Sequence, residues 1–326
     1  MMSRTLVVGV DAGATTTRCV VATVDGTIVG RGAAGGANHN SSGGDIAERL
    51  KAAMSQALSD IDRRAVAGGI LGAAGSSGAG RAIFGTASAV AWRDLDLSGD
   101  AVPVTDLEVA FAAGTAGTDG VLLLSGTGAL AARFAAGELA RRCDGYGWLL
   151  GDEGSAVWIG VRALRAVLAA LDGRGAPTVL VDAAKELFAI GPGSAEETAQ
   201  ALLTAAFACP PAALGSFAPR VDVAAEQGDP VARRITTAAA AKLLHTLDTV
   251  EPDPGQPVVL AGSVLLSPGP VARAVHAGLT RRDIGTVRTA RDGAAGAAAL
   301  ALARLTGAAV RPDVHARLTG HERPRG

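Results

Sequence analysis

The chain is 326 residues long, 48% hydrophobic and 19% charged, which describes a globular protein too long for one comfortable core and excludes a disordered one. A net charge of −1 and an aromatic content of 3% supply neither the basic excess nor the stacking platforms that a nucleic-acid partner requires. Cys19, Cys143 and Cys209 are odd in number and far apart, so they give no disulfide framework and no CxxC site, and the compartment is expected to be reducing.

His39, His245, His276, His315 and His321 show no metal-ligand spacing. The opening MMSRTLVVGVDAG lacks a long apolar core before a cleavage site, so no signal peptide is expected. No apolar run reaches the length of a membrane helix without a charge. The expectation is a cytoplasmic protein with neither a membrane nor a nucleic acid as partner.

In chain order, Thr5–Val10 reads as a strand that runs into the small-residue turn Asp11-Ala12-Gly13-Ala14-Thr15-Thr16-Thr17. Arg18–Val24 and Thr27–Gly32 read as two further strands around an Asp25-Gly26 hairpin turn. Asp11 is either a turn residue or a group that meets a phosphate or a metal. The buried strand leading straight into it favours the second role. Asn38, in a polar glycine loop, is either a substrate ligand or a turn residue.

Ser42–Leu58 follows as a helix, with Ile46, Leu50, Met54 and Leu58 at intervals of four. Ala67–Leu71 reads as a strand, Arg81–Trp92 as a helix and Ala101–Thr105 as a strand that ends at Asp106. An aspartate just past a strand end is a helix N-cap or a catalytic group; the N-cap is the commoner role, and the two are compatible.

The densest stretch is Val121–Ser155. Two apolar runs, Val121–Leu124 and Ala129–Phe134, flank the turn Ser125-Gly126-Thr127-Gly128, and the chain turns back at Gly137-Glu138 into Leu139–Arg142. Gly151-Asp152-Glu153-Gly154-Ser155 then sets two carboxylates among glycines. Glycine turns let backbone N–H groups meet an anion at close range. Carboxylates beside such a turn can hold sugar hydroxyls or a phosphate-bound cation, and together these outline a phosphoryl-transfer site. Gly126–Ala131 also matches the dinucleotide pattern G-x-G-x-x-A. That motif needs a helix directly after the turn, and here a second strand follows.

The second half repeats the first. Each half opens with a three-strand meander around a Gly/Thr turn, and Val258–Val264 mirrors Gly69–Gly75. Such a duplication predicts two similar α/β domains facing each other, with both turns pointing into one cleft. Val157–Leu171, Pro177–Phe188, Ala195–Phe207, Val221–Gln227, Pro230–Val250 and Ala294–Leu305 read as helices. Thr306–Gly326, rich in Arg, Pro and His, is expected to be a loosely packed terminus.

These motifs resemble the sugar kinases of the acetate kinase–hexokinase–actin superfamily, and more narrowly the BadF/BadG/BcrA/BcrD ATPase family that contains N-acetylglucosamine kinase. The resemblance rests on Asp11–Thr17, Asn38-His39, Asp106, Ser125–Gly128, Gly151–Ser155 with Trp158-Ile159-Gly160, and Leu260–Val264. It implies two duplicated ribonuclease H-like (actin-like ATPase) domains around a central cleft, with boundaries expected at 1–117 and 118–326.

It also implies ATP-dependent phosphorylation of an amino sugar at its 6-hydroxyl. By similarity, Asp106 is the general base and Asp11 orients Mg2+, usually through water. Gly13, Thr15, Thr16, Thr127 and Gly128 line the phosphates, and Gly262 and Ser263 sit against the nucleoside. Asn38, Asp106, Gly145, Tyr146, Gly147 and Asp152 contact the sugar.

N-acetylglucosamine is the expected acceptor, with glucosamine and N-acetylmuramic acid as alternatives, and a homodimer is expected. A non-kinase iron–sulfur activator of the same family would need closely placed cysteines that this chain lacks. A sugar-sensing regulator would need a DNA-binding segment before the strand that opens at Thr5. Two departures stand out. Thr16 occupies a position where relatives commonly carry a lysine or arginine, and Tyr146 one where they often carry tryptophan.

Overall fold

The computed structural model describes residues 5–13, 15–37, 45–73 and 79–320. The first half runs β1 (Leu6–Ala12), β2 (Thr16–Thr23), β3 (Ile28–Gly35), α1 (Ile46–Ala57), β4 (Val66–Ala73), α2 (Ala79–Asp94), β5 (Asp100–Thr105) and α3 (Asp106–Gly114). Its five strands form one sheet in the order β3-β2-β1-β4-β5. β1 lies at the centre, antiparallel to β2 and parallel to β4. Leu6, Val7, Val8 and Val10 are all buried, as expected for a central strand covered on both faces. The expected Asp25-Gly26 hairpin is present, with Gly26 at φ 84°.

The second half runs β6 (Gly120–Ser125), β7 (Ala129–Ala135), β8 (Glu138–Asp144), α4 (Ala156–Leu171), α5 (Leu180–Leu187), α6 (Ala195–Ala208), α7 (Ala218–Glu226), α8 (Pro230–Thr249), β9 (Val258–Ala261), α9 (Ser263–Leu266), α10 (Pro270–Arg281), β10 (Val287–Thr289), α11 (Gly293–Thr306) and α12 (Pro312–Thr319). Its sheet, β10-β9-β6-β7-β8, is the first sheet's order read from the other edge, with β6 standing for β1 and β9 for β4. β6 is antiparallel to β7 and parallel to β9, which repeats the first sheet's pairing. The doubled plan gives the two similar α/β domains that the duplicated motifs predict, in the ribonuclease H-like (actin-like ATPase) fold that the family resemblance implies.

The chain divides into two compact units, Met1–Asp119 with Ala135–Glu138 and Arg288–Gly326, and Gly120–Phe134 with Leu139–Val287. The sequence boundary at 117/118 assigns 288–326 to the second domain, whereas packing places that segment with the first unit. The cause is α11, an Ala/Gly helix that lies directly on β1. A Cβ on Gly9 of β1 would fall 2.3 Å from the Ala294 carbonyl and from the Ala298 amide nitrogen, so only glycine permits this approach.

The tail also departs from expectation. Pro312–Thr319 is a helix with Val314, His315, Leu318 and Thr319 buried. His315 Nε2 lies 2.7 Å from the Ala112 carbonyl, and Arg317 donates to the Asp25 carbonyl at 2.6 Å. The apolar pair Val314 and Leu318, four apart, turns one face of this segment into the core.

Candidate functional site

The first unit gathers carboxylates around Asp11. This residue sits near the end of β1, opposite Arg18 of β2 and beside Gly72 of β4. Its pKa is pushed up to about 6, first by burial, then by the neighbouring Asp106, with Asp292 adding to the rise and Arg18 opposing it. α11 starts against the same carboxylate, because a Cβ on Gly293 would fall 2.3 Å from Asp11 Oδ2. Asp292 caps α11 by accepting from Ala295 N–H at 3.2 Å and pairs with Arg31 at 2.8 Å.

Asp106 is the first residue of α3, and the cap belongs to Thr105. Thr105 N–H donates to Glu108 Oε2 at 2.8 Å, and Glu108 N–H donates to Thr105 Oγ1 at 3.3 Å. This reciprocal capping box corrects the N-cap reading of Asp106. The adjacent β1–β2 turn is held by Gly13 N–H to the Thr16 carbonyl at 3.0 Å and by Ala37 N–H to the Gly13 carbonyl at 3.2 Å. Thr15 is exposed and Thr16 half-buried on it. Asn38 lies outside the described residues.

Among the described residues, no three His, Cys, Asp or Glu side chains group closely enough to enclose a metal ion. The donor chemistry nevertheless suits Mg2+. One shielded carboxylate beside two others favours a cation, and Mg2+ is commonly held by one or two carboxylates together with water and substrate phosphates.

The second unit brings its own set together. In the β6–β7 turn, Gly126 N–H donates to the Gly128 carbonyl at 2.9 Å. The turn is tied to the start of α4 by Ala156 N–H to the Gly126 carbonyl at 2.8 Å and by Ser125 Oγ to the Gly154 carbonyl at 2.9 Å. Thr127 is exposed at the tip. Gly262 has φ 87° and faces the same turn, where a Cβ on it would fall 2.3 Å from the Ser125 carbonyl. Gly262 N-caps the short α9, and Ser263, its first residue, is exposed.

Asp152 meets the turn from the other side. A Cβ on Gly128 would fall 3.1 Å from its carboxylate. Burial raises the Asp152 pKa, backbone hydrogen bonds from Ala129 and Gly147 lower it, and Asp144 pushes it up again. Thr127, Gly128, Asp152, Gly262 and Ser263 therefore share one locality. Gly145 (φ 78°), Tyr146 and Gly147 (φ 90°) lie on the loop leading to Asp152, and Tyr146 is 73% exposed.

Sequence reasoning missed Asp144. Its carboxylate accepts from Gly145 N–H at 2.7 Å, Asp152 N–H at 2.8 Å and Glu153 N–H at 2.8 Å, and so shapes the whole loop from 145 to 153. The only local signal is the turn pair Asp144-Gly145. The role of Asp292 beside Asp11 was also missed, because nothing local links two positions so far apart in the chain.

Comparison with known proteins places the chain in a family. The profile of the BadF/BadG/BcrA/BcrD ATPase family matches residues 8–301. The chain is 31% identical over 176 residues to the N-acetylmuramic acid/N-acetylglucosamine kinase of Clostridium acetobutylicum, covering 53% of this chain and 57% of that protein. It is 31% identical over 191 residues to the N-acetyl-D-glucosamine kinase of Dictyostelium discoideum, covering 55% and 59%. The chain thus spans a little over half the length of these two relatives.

A solved structure from Chromobacterium violaceum, provisionally named an N-acetylglucosamine kinase, superposes with a TM-score of 0.68 at 25% identity, over 92% of this chain and 99% of that one. With its profile matched from the first strand into α11, the chain belongs to the BadF/BadG/BcrA/BcrD ATPase family.

Proposed function

We propose that this protein is an ATP-dependent kinase that phosphorylates the 6-hydroxyl of an amino sugar, with N-acetylglucosamine as the first acceptor. The names of the two partial relatives and of the C. violaceum structure support the substrate class. Membership of an ATPase family supports ATP as the donor. The observation that carries the chemistry is Asp106, placed by the Thr105–Glu108 capping box and set beside the shielded Asp11.

In this reading Asp106 accepts the proton of the 6-hydroxyl as the sugar oxygen bonds to the γ-phosphorus and the bond to the β-phosphate oxygen breaks, releasing ADP. Asp11 would hold Mg2+, and the cation would offset the negative charge of the phosphates. Gly13 shapes one glycine turn so that the backbone can come close to the phosphates, Thr15 and Thr16 on it offer donors, and Thr127 and Gly128 do the same on the equivalent turn of the second sheet. Gly262 and Ser263 take the nucleoside. Asn38, Gly145, Tyr146, Gly147 and Asp152 take the sugar.

The Clostridium relative's name covers two acceptors, which favours N-acetylmuramic acid as a second substrate. The resemblance to this kinase family supports a cytoplasmic homodimer. Among the described residues no helix is long and apolar enough to cross a membrane.

A coupled ADP-release assay with Mg-ATP tests the proposal against N-acetylglucosamine, glucosamine, N-acetylmuramic acid and glucose. Turnover on an acetamido sugar well above glucose is expected. ATP binding with no turnover on any of the four would overturn the kinase reading.

A further inference from the structure

Next to the Gly151–Ser155 loop, the second unit carries a cationic surface that the proposed chemistry does not use. Arg162 and Arg165, three apart on α4, project from one helix face. Arg234 stands on the neighbouring α8. Two clefts adjoin here. One, of about 220 Å3, is lined by Trp148, Leu150, Gly151, Glu153, Trp158 and the two α4 arginines. The other, of about 290 Å3, is lined by the same two arginines with Arg234 and Ile235.

Among the described residues, none of the three arginines has a carboxylate within 4.0 Å. Glu153, the acid on the cleft wall, is engaged by Lys242 at 3.0 Å. Among the described residues the three guanidinium groups thus have no carboxylate partner on the cleft. Arg162 is also oriented in advance. Its guanidinium lies 4.0 Å over the Trp158 ring, which leaves its N–H edges to donate. Trp148, 47% exposed, and Leu150, 81% exposed, form an apolar shoulder beside the charges.

We infer that this cleft is a subsite for a carboxylate carried on the acceptor, so that the enzyme accepts acidic amino sugars. The inference rests on the amino sugar kinase reading and deepens it. Three features favour a small sugar acid. The cleft borders the loop that carries Asp152. Its volume suits a short acid arm. The exposed Trp148 indole on the same cleft as the guanidinium fork suits a pyranose face next to a carboxylate. The phosphate of a sugar phosphate shares this chemistry and is separated from it by the test.

N-acetylglucosamine and N-acetylmuramic acid differ by one lactyl ether carboxylate, so the pair is the probe. Calorimetric titration without nucleotide compares the wild-type protein with Arg162→Ala/Arg165→Ala. The double variant should lose at least about tenfold in affinity for N-acetylmuramic acid and less than about twofold for N-acetylglucosamine. Equal losses for both sugars, or no loss for either, would overturn the subsite. So would a loss confined to N-acetylglucosamine 6-phosphate, which would mark a phosphate site.

The single variant Arg165→Ala repeats the test should the double variant fold poorly. Because the readout needs no turnover, it separates the two proposals. A protein that binds both sugars and phosphorylates neither refutes the kinase and leaves the subsite standing, whereas turnover with unchanged affinities refutes the subsite alone.

Discussion

Asp11 stands one residue before the end of β1 and Asp144 ends β8, yet their surroundings are opposite. Asp144 ends β8 with its carboxylate filled by three backbone N–H groups from its own loop. Its charge is consumed in shaping the chain. Asp11 keeps some contact with solvent. Burial and the carboxylates of Asp106 and Asp292 nevertheless push its pKa up to about 6. Hydrogen-bond donors around an acid mark a structural fastener, whereas like charges around an acid mark a place that awaits a cation. The same sheet plan, used twice, thus carries a buried acid among like charges near one strand end, which we propose as the cation site, and a rigid loop at another.

The largest effect should come from the acid beside Asp11. Asp106→Asn is expected to lower kcat by about a thousandfold, while sugar and nucleotide affinities stay within about threefold. Steady-state kinetics with equilibrium titration checks this, and near-normal turnover would remove Asp106 from the mechanism.

The second effect concerns Asp11 itself. Its native pKa of about 6 lies above the ordinary 3.8, so between these values the folded state holds more protons than the unfolded one. Stability in metal-free buffer should therefore fall as pH rises through that window. Asp11→Asn should flatten the slope and gain about 3 kcal/mol at neutral pH, while abolishing phosphorylation. Denaturant melts in chelator at several pH values measure both. A variant no more stable than the wild type would contradict the like-charge account.

Asp144→Asn should behave in the opposite sense. Replacing the acceptor of three N–H groups should cost about 2 kcal/mol and raise the sugar KM several-fold, with a smaller change in kcat. A stabilised Asp144→Asn would erase the contrast between the two aspartates.

The smallest effect should be at Lys242, whose pair with Glu153 is 43% and 38% exposed. Lys242→Ala should cost less than about 1 kcal/mol and leave the sugar KM unchanged, because Asp144 and not this ion pair fixes the loop.

Much of this was legible in the chain. The glycine turns, the meanders and the mirrored strand-loop pairs reported the duplicated sheets, because turn chemistry and apolar runs are local signals. α10 and α12 were overlooked although Val271, Val275 and Leu279, like Val314 and Leu318, sit at helical spacing. Proline and arginine nearby masked the stripe. The return of α11 to the first unit could not be read locally. It depends on Gly9 and Ala298 meeting across nearly the whole sequence. The loop from 145 to 153 announced itself through glycines and carboxylates, but its fastener Asp144 looked like an ordinary turn residue. What was hidden in each case was the partner rather than the residue.

The most direct measurement is phosphorus NMR of the product formed from Mg-ATP and N-acetylglucosamine, with the wild-type protein and with Asp106→Asn side by side. The account predicts a phosphomonoester on C6 from the wild type and almost none from the variant. ADP and inorganic phosphate without a sugar phosphate, or equal product from both proteins, would contradict it.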